Sequence, residues 1–188
     1  MNFYDAMMFP LEKNFLAEKR MWLMKHVVGN VLEIGFGTGA NLKFLDLTQI
    51  EHLTALDLKI EHNIPSSDKI SFKVGTAEKM PFEENTFDTI IETLVLCSVE
   101  NLDQTLSEIY RVLKPGGKFI YMDHVLPEND HAASLFKMVN PLWSKIAHGC
   151  QLIRMPSEHY DKHGLKQLET KRFGSGIFSY GIAEKAKV

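Results

Sequence analysis

With 188 residues, 45% of them hydrophobic and 24% charged, the chain has the size and balance of one globular domain, and a net charge of −3 speaks against a general nucleic-acid binder. Two cysteines, Cys97 and Cys150, are too few to staple a chain of this length, so both are expected as free thiols in a reducing compartment. No run of 18 apolar residues occurs and the start MNFYDAMMFPLEKN is not built like a secretory signal, which makes a cytoplasmic location the expectation.

In chain order, Pro10 suits a first helical turn, and Leu11, Phe15, Leu16, Trp22, Leu23 and Val27 recur at helical spacing, which predicts a helix over about 10–27. Residues 1–28 are expected to form a lid on a core of 29–188 within a single domain. Tyr4, Met8 and Phe9 would line an apolar acceptor site or touch a membrane surface; the plainer alternative is that this segment covers a sheet edge.

Val31–Ile34 reads as a buried strand, about 40–46 as a helix, His52–Asp57 as a second strand and Ile70–Gly75 as a third. Residues 58–69 give barely the dozen that a parallel crossover needs, so a turn or loop is expected there in place of a helix. Phe87–Leu94 is a fourth strand, and Leu102, Leu106, Ile109 and Leu113 mark a helix over about 102–113. KPGG at 114–117 is expected to end that helix in a turn, followed by a fifth strand over Gly117–Val125 and a helix over about 131–147. Finally, GLKQLETKRF and GIFSYGIAEK flank Gly174-Ser175-Gly176 as a hairpin. The alternation predicts an α/β fold: a Rossmann-like, doubly wound, seven-stranded and mainly parallel sheet with a C-terminal antiparallel hairpin.

The stretch VLEIGFGTGAN at 31–41 carries the chemistry. Gly35, Gly37 and Ala40 satisfy a G-x-G-x-x-G/A loop after a strand, and Asp57 lies about 20 residues on, where a carboxylate accepts from both hydroxyls of a ribose. The loop alone fits either a dinucleotide or S-adenosylmethionine. Glu33 would be unwelcome beside a pyrophosphate but useful near a cationic methionine moiety, and Gly39 lets the backbone turn around a carboxypropyl chain. Ala77 and Glu78 follow the third strand, where a side chain would meet an adenine edge; Glu78 could equally be a first-turn helix residue.

Taken together, VLEIGFGTGAN, ALDLK, GTAEKMPF and RVLKPGGKF resemble the motifs of the class I S-adenosylmethionine-dependent methyltransferases over nearly the whole chain. TLVLCSVENLDQTLSEIYRVLKPGGKFIYMDHV, with Gly149-Cys150 and Arg154, is similar to the small methyltransferase-like thiol methyltransferases of animals, and the core motifs also to bacterial phospholipid and quinone methyltransferases. The resemblance implies S-adenosyl-L-methionine as cofactor, S-adenosyl-L-homocysteine as product, and a small, lipophilic thiol, amine or hydroxyl acceptor methylated by in-line displacement. It implies a cofactor set of Glu33, Gly35, Gly37, Thr38, Gly39, Asn41, Asp57, Leu58, Ala77, Glu78, Thr93 and Leu94. The animal enzymes carry an N-terminal membrane anchor that this sequence does not show, so at most a peripheral membrane contact is expected.

Asp123 and His124 end the fifth strand and are the candidate catalytic residues, His124 as proton acceptor because its unperturbed pKa lies near 6.5. His124 could instead only shape the pocket, and Cys97, after an apolar strand, reads as packing. Asp123, His124, Asp130 and His131 show no known ligand spacing, and no metal is expected. The competing readings are an NAD(P)-dependent oxidoreductase and a non-catalytic S-adenosylmethionine-binding protein. A nucleic-acid methylase is disfavoured, since ETLVLC stands where an NPPY-like tetrapeptide would follow the fourth strand.

Overall fold

The computed structural model describes residues 15–59, 67–147 and 149–187. Tyr4, Met8, Phe9, the first turns of the predicted N-terminal helix and most of the 58–69 crossover therefore lie outside the described residues. One seven-stranded sheet runs in the order β3-β2-β1-β4-β5-β7-β6. Its strands are β1 (Gly29–Ile34), β2 (Ile50–Asp57), β3 (Ile70–Val74), β4 (Phe87–Thr93), β5 (Leu113–His124), β6 (Leu165–Phe173) and β7 (Phe178–Lys185). The first five are parallel, and β7 slips between β5 and β6, antiparallel to both. This is the doubly wound, mainly parallel sheet with a terminal hairpin that the sequence pattern predicts.

Alternation along the central strands sends apolar side chains to two cores. On one face Leu32, Ile34, Leu56, Ile90, Phe119 and Tyr121 meet Leu106, Ile109 and Val112 of α2 (Leu102–Val112). On the other, Val31, Leu53, Ala55, Ile91, Ile120 and Met122 meet Leu23 and Met24 of α1 (Ala17–Met24) and Val27 beyond it. Such burial on both faces is why these strands read as near-continuous apolar runs. Asn101 caps α2 by accepting from Gln104 N–H at 3.0 Å, and Asn129 caps α3 (Asp130–Ile146) by accepting from Ala132 N–H at 3.1 Å.

Three expectations need correction. The helix expected over about 40–46 is a single 3₁₀ turn, Leu42–Phe44. Leu45 is already extended, and the Asp46 carboxylate takes the Thr48 N–H and hydroxyl into a local turn that competes with helix. The helix expected to run to Val27 stops at Met24, although Val27 stays buried through the following turn. Finally, KPGG is no separate turn: β5 begins at Leu113, and residues 114–117 bulge between the pairs Phe87↔Leu113 and Thr89↔Lys118. The bulge is tied down by Lys114, whose ammonium donates to both Asp88 oxygens at 2.8 Å.

The chain departs in opposite directions on the two sides of β1, towards β2-β3 and towards β4-β5. That switch point opens a crevice at the carboxyl ends of β1 and β4, the place where ligands bind in open α/β sheets. A groove of about 530 Å³ lined by Asn30, His52 and Lys114 lies instead at the amino-terminal ends of the strands. Among the described residues no helix is long and apolar enough to cross a membrane.

Candidate active site

The glycine loop leaves β1 in a conformation that ordinary side chains resist. Gly35 has φ +66°, and a Cβ there would run into Val95 Cγ2 of the loop after β4, so a bare residue is needed for β1 and β4 to lie this close. Gly37 has φ +54° with open space where its Cβ would be, so it leaves room for a ligand against the backbone. Its N–H donates to Asp57 Oδ2 at 2.8 Å, and Asp57 Oδ1 accepts from Lys59 N–H at 3.3 Å. The carboxylate at the tip of β2 thus stands directly against the glycine loop. Gly37 and Thr38 are exposed, Gly39 and Asp57 are half-buried, and Leu58 points to solvent.

Beneath the loop lies a polar network that sequence reasoning found only in part. Glu33 is buried and its Oε1 accepts from Asn41 Nδ2 at 2.8 Å. Asn41 Oδ1 and Thr93 Oγ1 each accept from Arg20 Nη1 at 2.6 Å, and Asn41 Nδ2 also reaches Thr93 Oγ1 at 3.2 Å. Glu33, Asn41 and Thr93, all named in the sequence as cofactor-side residues, are brought together, and Arg20 of α1 joins them. Its sequence signal was a cation on an apolar stripe: Leu16, Arg20, Leu23 and Met24 share one face, and all are buried, as is Val27 beyond the helix.

Glu33 Oε2 is buried with no hydrogen-bond partner among the described residues. Burial raises the Glu33 pKa to about 7, against the Asn41 hydrogen bond and the Arg20 charge, which pull it down. A buried carboxyl with one unmatched oxygen, beside a cradle of exposed glycine backbone, fits a cationic group on a nucleoside ligand. It does not fit a pyrophosphate.

After β3 the segment carrying Ala77 and Glu78 forms a turn and not the first turn of a helix. Ala77 packs into the core, and Glu78 is used locally: one oxygen accepts from the Thr76 hydroxyl and the other from Glu100 N–H at 2.9 Å. Glu78 thereby fastens the segment after β3 to the loop before α2.

At the ends of β4 and β5 the chain is strained and acidic. Leu94 adopts φ +64°, unusual for a branched residue, while its N–H donates to Met122 O at 2.6 Å. Asp123 is buried; its Oδ1 accepts from Cys97 N–H at 3.0 Å, and among the described residues its Oδ2 has no partner outside the carboxyl of Glu92. Glu92, on β4, was not anticipated, although a carboxyl inside FDTIIET was the available signal. Burial, then the charge of Asp123, push Glu92 well above the carboxylate range, and burial raises Asp123 to about 6. The two buried carboxyls thus favour sharing a proton. Asp123 consequently lies under the site and positions the Cys97 loop.

His124 is half-buried, stacked on Phe178 at 4.5 Å between ring centroids, with its Nδ1 at 3.5 Å from Cys150 Sγ. The segment after α3 closes this side. Arg154 Nη1 donates to Leu96 O and Val99 O at 2.8 and 2.7 Å, and Gln151 N–H to Cys97 O at 2.8 Å. Residues 149–154 therefore wall the loop after β4.

Comparisons with known proteins bear on this crevice. A family described as "Methyltransferase domain" matches residues 32–121, which span the glycine loop through β5. The chain is 37% identical over 134 residues to "Methyltransferase OMS1, mitochondrial" of Saccharomyces cerevisiae, covering 58% of this chain and 28% of that protein. It is 34% identical over 134 residues to the human "Thiol S-methyltransferase TMT1A", covering 66% and 55%. The chain thus spans about a quarter to a half of the length of these relatives. Among solved structures, an S-adenosylmethionine-dependent methyltransferase from Mesorhizobium loti superposes with a TM-score of 0.72 at 13% identity, covering 90% of this chain and 97% of that one. At that identity the likeness concerns the fold.

Proposed function

Because the chain belongs to the class I S-adenosylmethionine-dependent methyltransferases, we propose that it transfers a methyl group to a small lipophilic acceptor, a thiol before an amine or a hydroxyl. The observation that carries the reading is the buried Glu33 carboxyl with an unmatched oxygen beside the exposed glycine loop. The human relative's name, a thiol S-methyltransferase, supports the thiol.

In this proposal Asp57 holds the ribose hydroxyls, exchanging its bond to Gly37 N–H for them, and the amides of Gly37 to Gly39 face the methionine chain. Glu33 faces the cationic groups, and the Arg20 guanidinium, steered by Asn41 and Thr93, is the counter-charge for the carboxylate. When bound, the cofactor supplies a methyl carbon already activated for in-line transfer. What remains for the protein is orientation and exclusion of water. A thiol of pKa about 8.5 supplies some thiolate near neutrality, so a weak base suffices. His124 fills that role at Nε2 while Nδ1 stays on Cys150. Glu92 and Asp123 keep the loop after β4 in place from below.

The single-domain arrangement of 1–188, with Tyr4, Met8 and Phe9 on the acceptor side, remains part of the proposal. So does a reducing compartment, a condition the cytosol meets and one compatible with the mitochondrial name of the yeast relative. Calorimetric titration tests the cofactor placement: S-adenosylhomocysteine should bind, NADH should not, and Asp57→Ala should weaken binding at least about tenfold, the loss of one charge-assisted hydrogen-bonding group. An unchanged affinity in Asp57→Ala refutes the ribose assignment. Turnover with an alkyl thiol, a phospholipid amine and a quinol, compared side by side, assigns the acceptor.

A further inference from the structure

We propose that Cys97 and Cys150 are a hydroperoxide-reactive dithiol that closes to an intramolecular disulfide on the acceptor side of the crevice. Packing alone would account for one buried thiol after an apolar strand. It does not account for a second thiol and an imidazole converging on it. The two sulfurs stand 3.6 Å apart although 53 residues separate them, and His124 Nδ1 lies 3.5 Å from Cys150 Sγ.

Their backbones are anchored next to one another. Gln151 N–H donates to Cys97 O at 2.8 Å, Cys97 N–H donates to Asp123 Oδ1 at 3.0 Å, and Cys150 N–H donates to Ala147 O at 2.9 Å. A disulfide requires a further approach of only about 1.5 Å, within reach of side-chain rotation. Cys150 is itself buried, and the rings beside it, Trp143 and His124, are half-buried.

The two thiols are not equivalent. Among the described residues an imidazole, His124, lies against Cys150 at 3.5 Å; the contact between the two sulfurs, helped by His124, pulls Cys150 below the ordinary thiol range, and the same contact pushes Cys97 above it. Cys150 is therefore the attacking sulfur and Cys97 the resolving one. The Cys150 thiolate attacks the outer oxygen of the hydroperoxide and the O–O bond breaks. The alcohol or water leaves with a proton passed through His124, and Cys150 becomes a sulfenic acid. Cys97 sulfur then attacks Cys150 sulfur; the S–O bond breaks and hydroxide departs as water with the Cys97 proton. Two thiols and one hydroperoxide give one disulfide, one alcohol (or water) and one water, the two sulfurs supplying the two electrons that reduce the peroxide.

These are the only two cysteines of the 188-residue chain, which makes the test direct. The reduced protein is treated with hydrogen peroxide, digested without reductant and mapped by mass spectrometry. The expected result is a Cys97–Cys150 cross-linked peptide, simultaneous loss of both thiols, and recovery of both with dithiothreitol. Cys97→Ser should stop at a sulfenic acid on Cys150 that dimedone captures, and Cys150→Ser should consume peroxide at least about tenfold more slowly. Only intermolecular cross-links, or a sulfinic acid on one cysteine with the other free, would overturn the proposal. So would a Cys150→Ser chain that reacts as fast as its parent. None of these readouts depends on methyl transfer, so the inference and the proposed function stand or fall separately.

Discussion

Glu33 shows how one residue can serve ligand binding at the expense of the fold. Its carboxyl is buried with one oxygen unmatched, and its pKa rises from 4.5 to about 7. The folded state therefore holds a proton that the unfolded state releases between those two values, and stability drains away as pH rises through that window. Glu33→Gln should be nearly neutral below pH 4.5 and stabilising by as much as about 3 kcal/mol above pH 7. Denaturant melts of both proteins at pH 4.5 and pH 8 measure the difference. The same variant should bind S-adenosylhomocysteine more weakly at pH 8, and the parent's affinity should rise through pH 7 where the variant's stays flat. An equal stability gap at both pH values would show that Glu33 is not the titrating group. Glu33 and Asp57 were legible in the sequence because each closes a strand at a spacing set by the fold. Arg20 and Glu92 were not, because a cation or an acid on an apolar face acquires meaning only from what packs against it.

Among the elements, α3 stands out because its apolar residues face the wrong way. Leu135, Met138, Val139, Leu142 and Ile146 recur three and four apart and are exposed, while Ala133 and Asn140 on the opposite face are buried. Contiguous exposed apolar surface of this kind marks a binding surface. Lys145 lies at its margin, and the prediction is that this stripe and cation meet an anionic lipid surface. Met138→Glu with Leu142→Glu should abolish co-sedimentation with vesicles containing phosphatidylserine and leave the melting temperature within about 2 °C, since neither side chain is buried. Retained sedimentation would assign the stripe another partner. Helical spacing located α3 in the sequence, yet the face it presents to solvent is fixed by Asn140, which bonds Gln151 and Leu152 on the opposite side.

For the molecule as a whole, ligand binding ties distant segments together. The crevice draws on α1, β1, β2, the loop after β4 and the segment after α3, so a nucleoside lying across it links parts far apart in sequence. At about one hundred times its Kd, S-adenosylhomocysteine should add about 2.7 kcal/mol of stability. For a domain of this size that corresponds to a rise of roughly 5–10 °C in Tm. NADH at the same concentration should give none, and a rise with NADH instead would support the oxidoreductase reading. By itself the sequence determined the strand pattern, the parallel sheet with its terminal hairpin, the glycine loop and the acid beyond it. Periodicity, glycine spacing and strand ends are local properties, written in neighbouring residues. Only the tertiary structure decided that KPGG bulges within β5, that the helix after the glycine loop shrinks to one turn, and that Arg20 is joined to Glu33 through Asn41. It also brought Cys97 to Cys150 and His124. Those pairings follow from strand register and from the closure of long loops, and side chains brought together in that way leave no trace in the spacing of residues along the chain.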